Sequence, residues 1–524
     1  MNKKKITKIV GGIIILGIII GGGYAINAHA HSKNDNKSLV LSLSSTPPTM
    51  NPLYANSSSS LMVTDVLYEP LYTLDSKGGI DYNGLAEKVT HSKDCKTYTV
   101  TLKSNLKWSD GQPLTANDLV FTFNKIMNPK NNALVMQTFM INNKPVEIKE
   151  INSTTVQFTL PAPSLGFVGD LSQLYPIPEH IYKDVTNLQT AEENKNPVGD
   201  GPYKFQSEEA GNEVTLVQNP YFFGKKANID KVVFRVIPNG NSGDAALESG
   251  QLSAAFGSNK LLSNKKVTSK YNVETMSSGL VNSVVFNFEN KALQNLKVRQ
   301  AISYALNKNA LTKAEYGDSK YVQEGNSVFA PGTQYYTNDV TNYSYNVDKA
   351  KELMKESGEK NITLRLSYAA GFQWAQNQAL IIKQDLGQIG INVELEPIEL
   401  NAFFKEIFTP NNKNYDLAIN GYNMGTTPDG YSILFTTDGA NNASNFNDKE
   451  INELFAKAQS AQTESERKQL YTEIQQKLSE EAPLYVMNYP EDIVLVSKDL
   501  EGIKEAGLQP ISMFNNLGAL SYKN

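Results

Sequence analysis

Cysteine is almost absent from this 524-residue chain. Cys95 is the only one, so no intramolecular disulfide can form and a cysteine-built structural metal site is ruled out. Set between Asp94 and Lys96, it reads as a chance residue in a loop before a strand. Arginine is scarce as well: four of the 49 basic residues are Arg, namely Arg235, Arg299, Arg365 and Arg467. Bidentate clamps on carboxylate or phosphate are usually built from Arg, so a ligand site dominated by such clamps is not expected. Of four His, His29 and His31 fall near the amino terminus, which leaves His91 and His180 in turn-like settings without a GxSxG or HExxH context. No acid and base form a recognisable pair, so no catalytic residue is assigned and the chain is not read as an enzyme. No cluster of His, Cys and carboxylates has metal-ligand spacing, and neither a metal site nor a cofactor is expected. The net charge of -5 gives no electrostatic reason to expect nucleic acid as a partner.

What is present first sets the compartment. Lys3, Lys4, Lys5 and Lys8 precede an uncharged run from Ile9 to Ile26, and Ala28-His29-Ala30 offers a small-x-small cleavage site. This is an export signal, or an uncleaved anchor with its positive end inside, since the run is also long enough to span a bilayer. Either reading places the rest of the chain outside the cytoplasm. Residues 30–37 are polar and form a short tether, and the remaining length calls for two or three domains.

The most informative stretch is KTYTVTLKSNLKWSDGQPLTANDLVFTFNK, residues 96–125. Tyr98, Val100 and Leu102 alternate with threonines, the period of a half-buried strand. Ser109-Asp110-Gly111 is a turn, and Thr115 is a ready N-cap, with Asp118 three residues on making a weak capping box before Leu119, Val120 and Phe121. Trp108 to Phe123 resembles the "W-S-D-G-x-P-x-T-A-x-D-V" signature of the extracytoplasmic substrate-binding proteins of oligopeptide, dipeptide and nickel ABC importers, most of all the oligopeptide-binding members.

Further matches follow in the family's order. Leu39 to Leu43 is similar to its first strand and Pro47 to Pro52 to its "P-x-x-L-N-P" loop, broken by three prolines between Thr46 and Pro52. Leu67-Tyr68-Glu69-Pro70-Leu71 resembles "V-Y-E-P-L", the end of a helix that faces the cleft in relatives. Gly84-Leu85-Ala86-Glu87 matches "P-G-L-A-E", and Pro197-Val198-Gly199-Asp200-Gly201-Pro202-Tyr203 resembles "P-V-G-T-G-P-Y". This last turn lacks GK[ST] and no helix follows it, so it is read as a tight backbone corner before a strand rather than a phosphate cradle. Arg299 to Leu306 resembles "R-Q-A-L-S-Y-A-I-D" on an amphipathic helix, with Arg299 structural. From Asn346 onward helices alternate with strands, which implies an α/β lobe.

The resemblance implies an α/β chain with the large type II-like fold of periplasmic binding proteins: two lobes joined by a hinge, with an inserted third domain. Residues 38–75, 196–283 and 489–524 make lobe I, 76–195 the insert and 284–488 lobe II, while 1–37 are the signal or anchor and tether. It further implies capture of a peptide in the interlobe cleft, ABC permease subunits as partners, a monomer, and a location at the cell surface, membrane-associated or secreted, of a Gram-positive bacterium. Gram-positive members usually carry a lipid on a Cys ending the hydrophobic segment. Here there is none, so lipidation by that route is excluded. A receptor for a peptide pheromone or signal needs the same cleft, and a metal would have to arrive inside a chelator.

Candidate ligand contacts come from the same resemblance. In relatives a segment after a lobe II strand puts an aromatic and an acidic residue into the cleft, and here it runs from Gly421 to Tyr431. Where oligopeptide binders with "W-x-x-D-Y" hold the peptide ammonium with Asp, this chain has Tyr422 and Gly425. Asn423 and Thr426 share that segment. Asp429 is either a substitute anchor or a turn residue before Gly430, and Tyr422 and Met424 shape a pocket. Phe372 and Trp374 past a strand end, Tyr68 at the helix end, and Tyr485 and Tyr489 near the hinge are further candidates, each with core packing as the alternative.

Overall fold

The structure, a computed structural model, describes residues 38–75, 78–141, 144–238, 240–317 and 320–523. The expected signal or anchor and tether lie outside these residues. Strand β1 (Leu39–Leu43) buries Leu39, Leu41 and Leu43, and the proline-rich loop after it ends in helix α1 (Ser58–Leu67), capped by the Ser57 side chain. Hydrogen bonds from the Ser44–Ser45 segment to the Ser59 hydroxyl hold the start of α1 at the carboxyl end of β1.

A small antiparallel sheet follows. β2 (Ala86–His91), β3 (Thr97–Leu102), β4 (Glu147–Asn152) and β5 (Thr155–Thr159) pair in the order β2-β3-β5-β4, and α2 (Ala116–Met127) covers one face with Leu119, Phe123 and Ile126. Tyr98, Val100 and Leu102 are the inward side chains of β3, as the alternation requires, and the Thr115 amide donates to the Asp118 carboxylate at 2.9 Å. Trp108 is fully buried, Gly111 takes a φ of +91° in the turn, and the Ser109 amide donates to the Gly199 carbonyl at 2.7 Å. The signature stretch therefore fastens this sheet to the Gly199–Gly201 corner. His91 ends strand β2 and His180 lies in a single helical turn beside Asp110, so neither sits in the turn expected for it.

Next come β6 (Tyr203–Glu209), β7 (Glu213–Gln218), β8 (Lys231–Val236), β9 (Ala254–Phe256) and β10 (Tyr271–Ser277). After them lie β11 (Leu280–Phe286), α3 (Leu296–Ala305), α4 (Lys308–Tyr316), β12 (Val322–Glu324), α5 (Val347–Ser357), β13 (Thr363–Ala369), α6 (Gln373–Gly387) and β14 (Asn392–Ile398). Then come α7 (Leu400–Ile407), β15 (Leu417–Asn423), α8 (Lys449–Ser460), α9 (Glu464–Glu481) and β16 (Leu484–Ser497), followed by short elements up to Tyr522. Arg299 on α3 is structural as expected, donating to the Leu293 and Glu481 carbonyls at 2.8 and 2.9 Å.

One large mixed sheet runs β6-β7-β8-β1-β9-β16-β11-β15-β13-β14, with β10 and β12 also on β16. β1 is parallel to β8 and β9, and β13 is parallel to β14 and β15. This is the α/β fold expected. Strand β16 joins the two halves: Leu484, Tyr485, Val486 and Asn488 pair with β11, and Glu491 to Ser497 pair with β10. Pro490, which has no amide proton to give the ladder, lies between these stretches. Gly279, at φ +71°, separates β10 from β11. The boundary expected at 283 falls inside β11, because β11 pairs with β15 along its whole length. One hydrophobic core runs through β1, α1 and the small sheet, and two others lie under α3 to α6 and under α8 and α9.

Candidate ligand-binding site

The segment from Tyr422 to Tyr431 leaves the carboxyl end of β15, the end of an α/β sheet at which ligands usually bind. Tyr422 is committed to packing: its hydroxyl donates to the Val328 carbonyl at 2.7 Å and its ring stands edge-on to Tyr431 and Phe435. Met424 packs against the same core, to which Tyr489 belongs, and the Tyr489 hydroxyl donates to the Ser327 carbonyl at 2.6 Å. Tyr485 is buried in a neighbouring core and donates to the Leu306 carbonyl at 3.0 Å. Asn423, Gly425 and Thr426 form an exposed rim, pinned by Asn423 donating to the Ser278 carbonyl at 2.8 Å and by Gly425 at φ +71°.

Asp429 does not point at open space. One carboxylate oxygen accepts from the Arg467 guanidinium and the other from the Tyr471 hydroxyl. Burial disfavours the Arg467 charge, yet the adjacent Asp429 outweighs it and holds the guanidinium firmly protonated. The turn around Gly166 and Gly169 presses on this pair. A Cβ on Gly166 would overlap the Asp429 carboxylate, and one on Gly169 would lie 2.8 Å from the Thr427 methyl. Asp170 beside it is held well above the carboxylate range by burial and then by the Asp429 charge.

The remaining candidates lie elsewhere. Phe372 is exposed just before α6, and Trp374, 5.8 Å away between ring centroids, packs on the core under that helix. Tyr68 is fully buried and belongs to the core of β1 and α1. The structure thus joins Tyr422, Met424 and Tyr489 around one core, and keeps Phe372, Trp374 and Tyr68 apart from it.

A second group of polar side chains gathers where α1 ends. The Gly199–Gly201 corner wraps this end, with the amides of Asp200 and Gly201 both donating to the Leu67 carbonyl at 3.0 and 2.9 Å. A Cβ at Gly199 would overlap that carbonyl and one at Gly201 the Val66 carbonyl, so the corner needs both glycines. It delivers Asp200 beside Glu69, whose amide donates to Asp200 Oδ1 at 3.1 Å. Asp65, one turn back on α1, accepts from the Ser512 hydroxyl, held in a loop where Ile511 and Met513 both have positive φ.

Asp65 and Glu69 are half-buried and keep partial access to solvent. Burial pushes Glu69 up to about 8, against the pull of Lys103, and Asp65 adds to the rise. Burial also lifts Asp65 to about 6. Asp200 is raised well above the usual range by burial, with the Glu69 charge adding to the rise. Tyr175, raised first by burial, feels the charges of Asp65, Glu69 and Asp200. Among the described residues the cation acting on Glu69 is Lys103, whose ammonium already donates to the carbonyls of Tyr82, at 2.7 Å, and Gly84.

Comparison with known proteins shows what this architecture is. The family model for bacterial extracellular solute-binding proteins, family 5, matches residues 82–445. The chain belongs to that family. The oligopeptide-binding protein AppA of Bacillus subtilis is 26% identical over 94% of this chain and 96% of its own. The dipeptide-binding protein of Escherichia coli is 27% identical over 89% of this chain and 92% of its own. Among solved structures, the ABC transporter substrate-binding protein CtaP of Listeria monocytogenes superposes with a TM-score of 0.87 at 33% identity, over 93% of this chain and 100% of that one. At the level of its family, this chain is an extracellular solute-binding protein rather than an enzyme. Among the described residues no helix is long and apolar enough to cross a membrane.

The acidic group escaped the sequence reading although its parts were in view. Glu69 is the Glu of the family 5 protein's "Y-E-P-L" match, and Asp200 stands where the turn pattern has Thr. The departure at Asp200 was the signal available, and Asp65 with Glu69 at a spacing of four was the other. Neither carries meaning until the corner is known to wrap the helix end.

Proposed function

We propose that this chain is the substrate-binding protein of an ABC importer, capturing peptides, oligopeptides above all, in a cleft between two lobes and delivering them to membrane permease subunits. The observation that carries this reading is the similarity, nearly end to end, to the oligopeptide-binding protein of Bacillus subtilis. The geometry agrees with it. Residues 38–75, 196–278 and 491–524 act as lobe I and 279–490 as lobe II, hinged where β16 passes from β11 to β10, with 76–195 as the insert. Peptide main chain would be held by backbone groups at the exposed rim of Asn423 to Thr426, and Tyr422 and Met424 would form the floor beneath it. The protein works as a monomer outside the cytoplasm, held at the membrane by its first residues or released by cleavage.

Native mass spectrometry of the protein purified from a rich culture tests this, with sequencing of whatever denaturation releases. A ladder of short peptides of mixed sequence is the expected outcome. A single peptide would indicate a receptor for a signal. A metal chelate or other small molecule would refute the peptide assignment and leave the family intact.

A further inference from the structure

We propose that Asp65, Glu69 and Asp200 form a subsite for a cationic group of the bound solute, an ammonium or a guanidinium, at the junction of the first lobe with the inserted sheet. The proposal rests on the solute-binding role above and names the chemistry of what is bound. Three carboxyl groups come from α1, its exit and the Gly199–Gly201 corner, with the Glu69 amide bonded to Asp200, and the lysine that acts on Glu69 already donates to two backbone carbonyls. Such a surplus of acid is costly to bury without a partner.

Two buried atoms point to what is missing. Asp200 is 1% exposed and among the described residues its Oδ2 has no hydrogen-bond partner, although Oδ1 is bonded to the Glu69 amide. Tyr68 is fully buried, its hydroxyl is also unpartnered among the described residues, and the Asp200 charge acts on it. Buried polar atoms are bonded in the great majority of cases, so two orphans beside half-buried Glu69 mark a place for a donor from outside. A protonated amine or guanidinium brings several donors and a positive charge together. Among the described residues no set of three His, Cys, Asp or Glu is arranged to hold a metal ion.

Asp429, the carboxylate of the Tyr422–Tyr431 segment, is paired with Arg467. An acid group on α1 gives the cation a partner in this chain. It also gives a role to Asp200, where the turn pattern has Thr.

Calorimetric titration of the full chain with Ala-Lys-Ala, its norleucine analogue and the N-acetyl form of each tests the subsite. Loss of affinity on norleucine substitution assigns it to a side-chain cation, and loss on acetylation to the peptide terminus. Glu69→Gln is expected to weaken the preferred cationic peptide about tenfold and the matching neutral analogue by less than about twofold. Should Glu69→Gln fail to fold, judged by circular dichroism, Asp200→Thr is the substitute, with the same direction and a smaller loss. Unchanged discrimination between charged and neutral peptides in the folded variant overturns the subsite while leaving the peptide reading standing. If the unsubstituted protein binds none of the four, the peptide reading fails, and lysine amide becomes the probe. A rise in Tm with lysine amide that Glu69→Gln abolishes then supports the subsite, and no rise overturns it.

Discussion

Glu69 and Asp429 are carboxylates in opposite situations. Asp429 is neutralised within the protein, by a guanidinium that is 3% exposed, so removing its charge leaves Arg467 buried and unpaired. Breaking such a pair is strongly destabilising, and Asp429→Asn, which keeps a polar group in place, is expected to lower stability by about 3 kcal/mol in denaturant unfolding. It should weaken free-amino and N-acetylated peptides equally, and selective loss of the free-amino peptide would restore Asp429 as the anchor. Glu69 is protonated instead of paired. The folded protein holds this proton up to about pH 8, whereas an ordinary Glu releases it near 4.5, so the folded state binds more protons between these values. Stability of the ligand-free protein therefore falls as pH rises from about 4.5 to 8, and Asp65 contributes in the same direction up to about 6. Burial sets this first, Lys103 opposes it, and Asp65 on α1 adds to it. Glu69→Gln should flatten the slope, matching the unsubstituted protein at pH 4.5 and exceeding its Tm by roughly 2–4 °C at pH 8. Parallel melting profiles across this range would show that Glu69 is charged throughout.

Single elements were readable from the sequence wherever local chemistry fixes them. Thr115 and Asp118 start α2, Asn346 caps α5 and Gly358 ends it at φ +73°, and the threonine alternation of residues 97–102 is strand β3. Strand β16 is not fixed by local chemistry alone. Pro490 lies inside a run that continues to Ser497, and a proline is tolerated there because the ladder changes partners at that point. That change depends on β10 and β11, more than two hundred residues upstream, and leaves no mark near Pro490. The site was the least legible part for a similar reason. Tyr422, Tyr68 and Tyr489 have the composition of a binding surface, but the first and last spend their hydroxyls on main-chain carbonyls and the other is buried in a core. Asp65, Glu69 and Asp200 have meaning only together, and α1 and the corner that join them are well over a hundred residues apart in sequence.

At the scale of the whole molecule, the proposed division puts the turn at Gly166–Gly169 in the insert and the Thr427–Asp429 segment in the second lobe, so the contact between them would bear on closure. In the structure they touch closely enough that Gly166 has no room for a Cβ against the Asp429 and Arg467 side chains. The backbone at Gly166 is in the ordinary right-handed helical region, with φ -62° and ψ -18°, so an alanine or valine there adds no backbone strain. Its effect would be confined to the space between the two surfaces. A protein that binds by closing around its solute responds to such a wedge by shifting its population toward open forms, and the apparent affinity falls by the fraction of closed form lost. Gly166→Val is accordingly expected to weaken solute binding about tenfold, a shift of about 1.4 kcal/mol in the open-closed balance, with little change in Tm. Small-angle scattering with solute present should show a larger radius of gyration for the variant than for the unsubstituted protein. Equal radii and equal affinity would mean that this contact yields without cost and that closure is set elsewhere, at the hinge around Gly279 and Pro490.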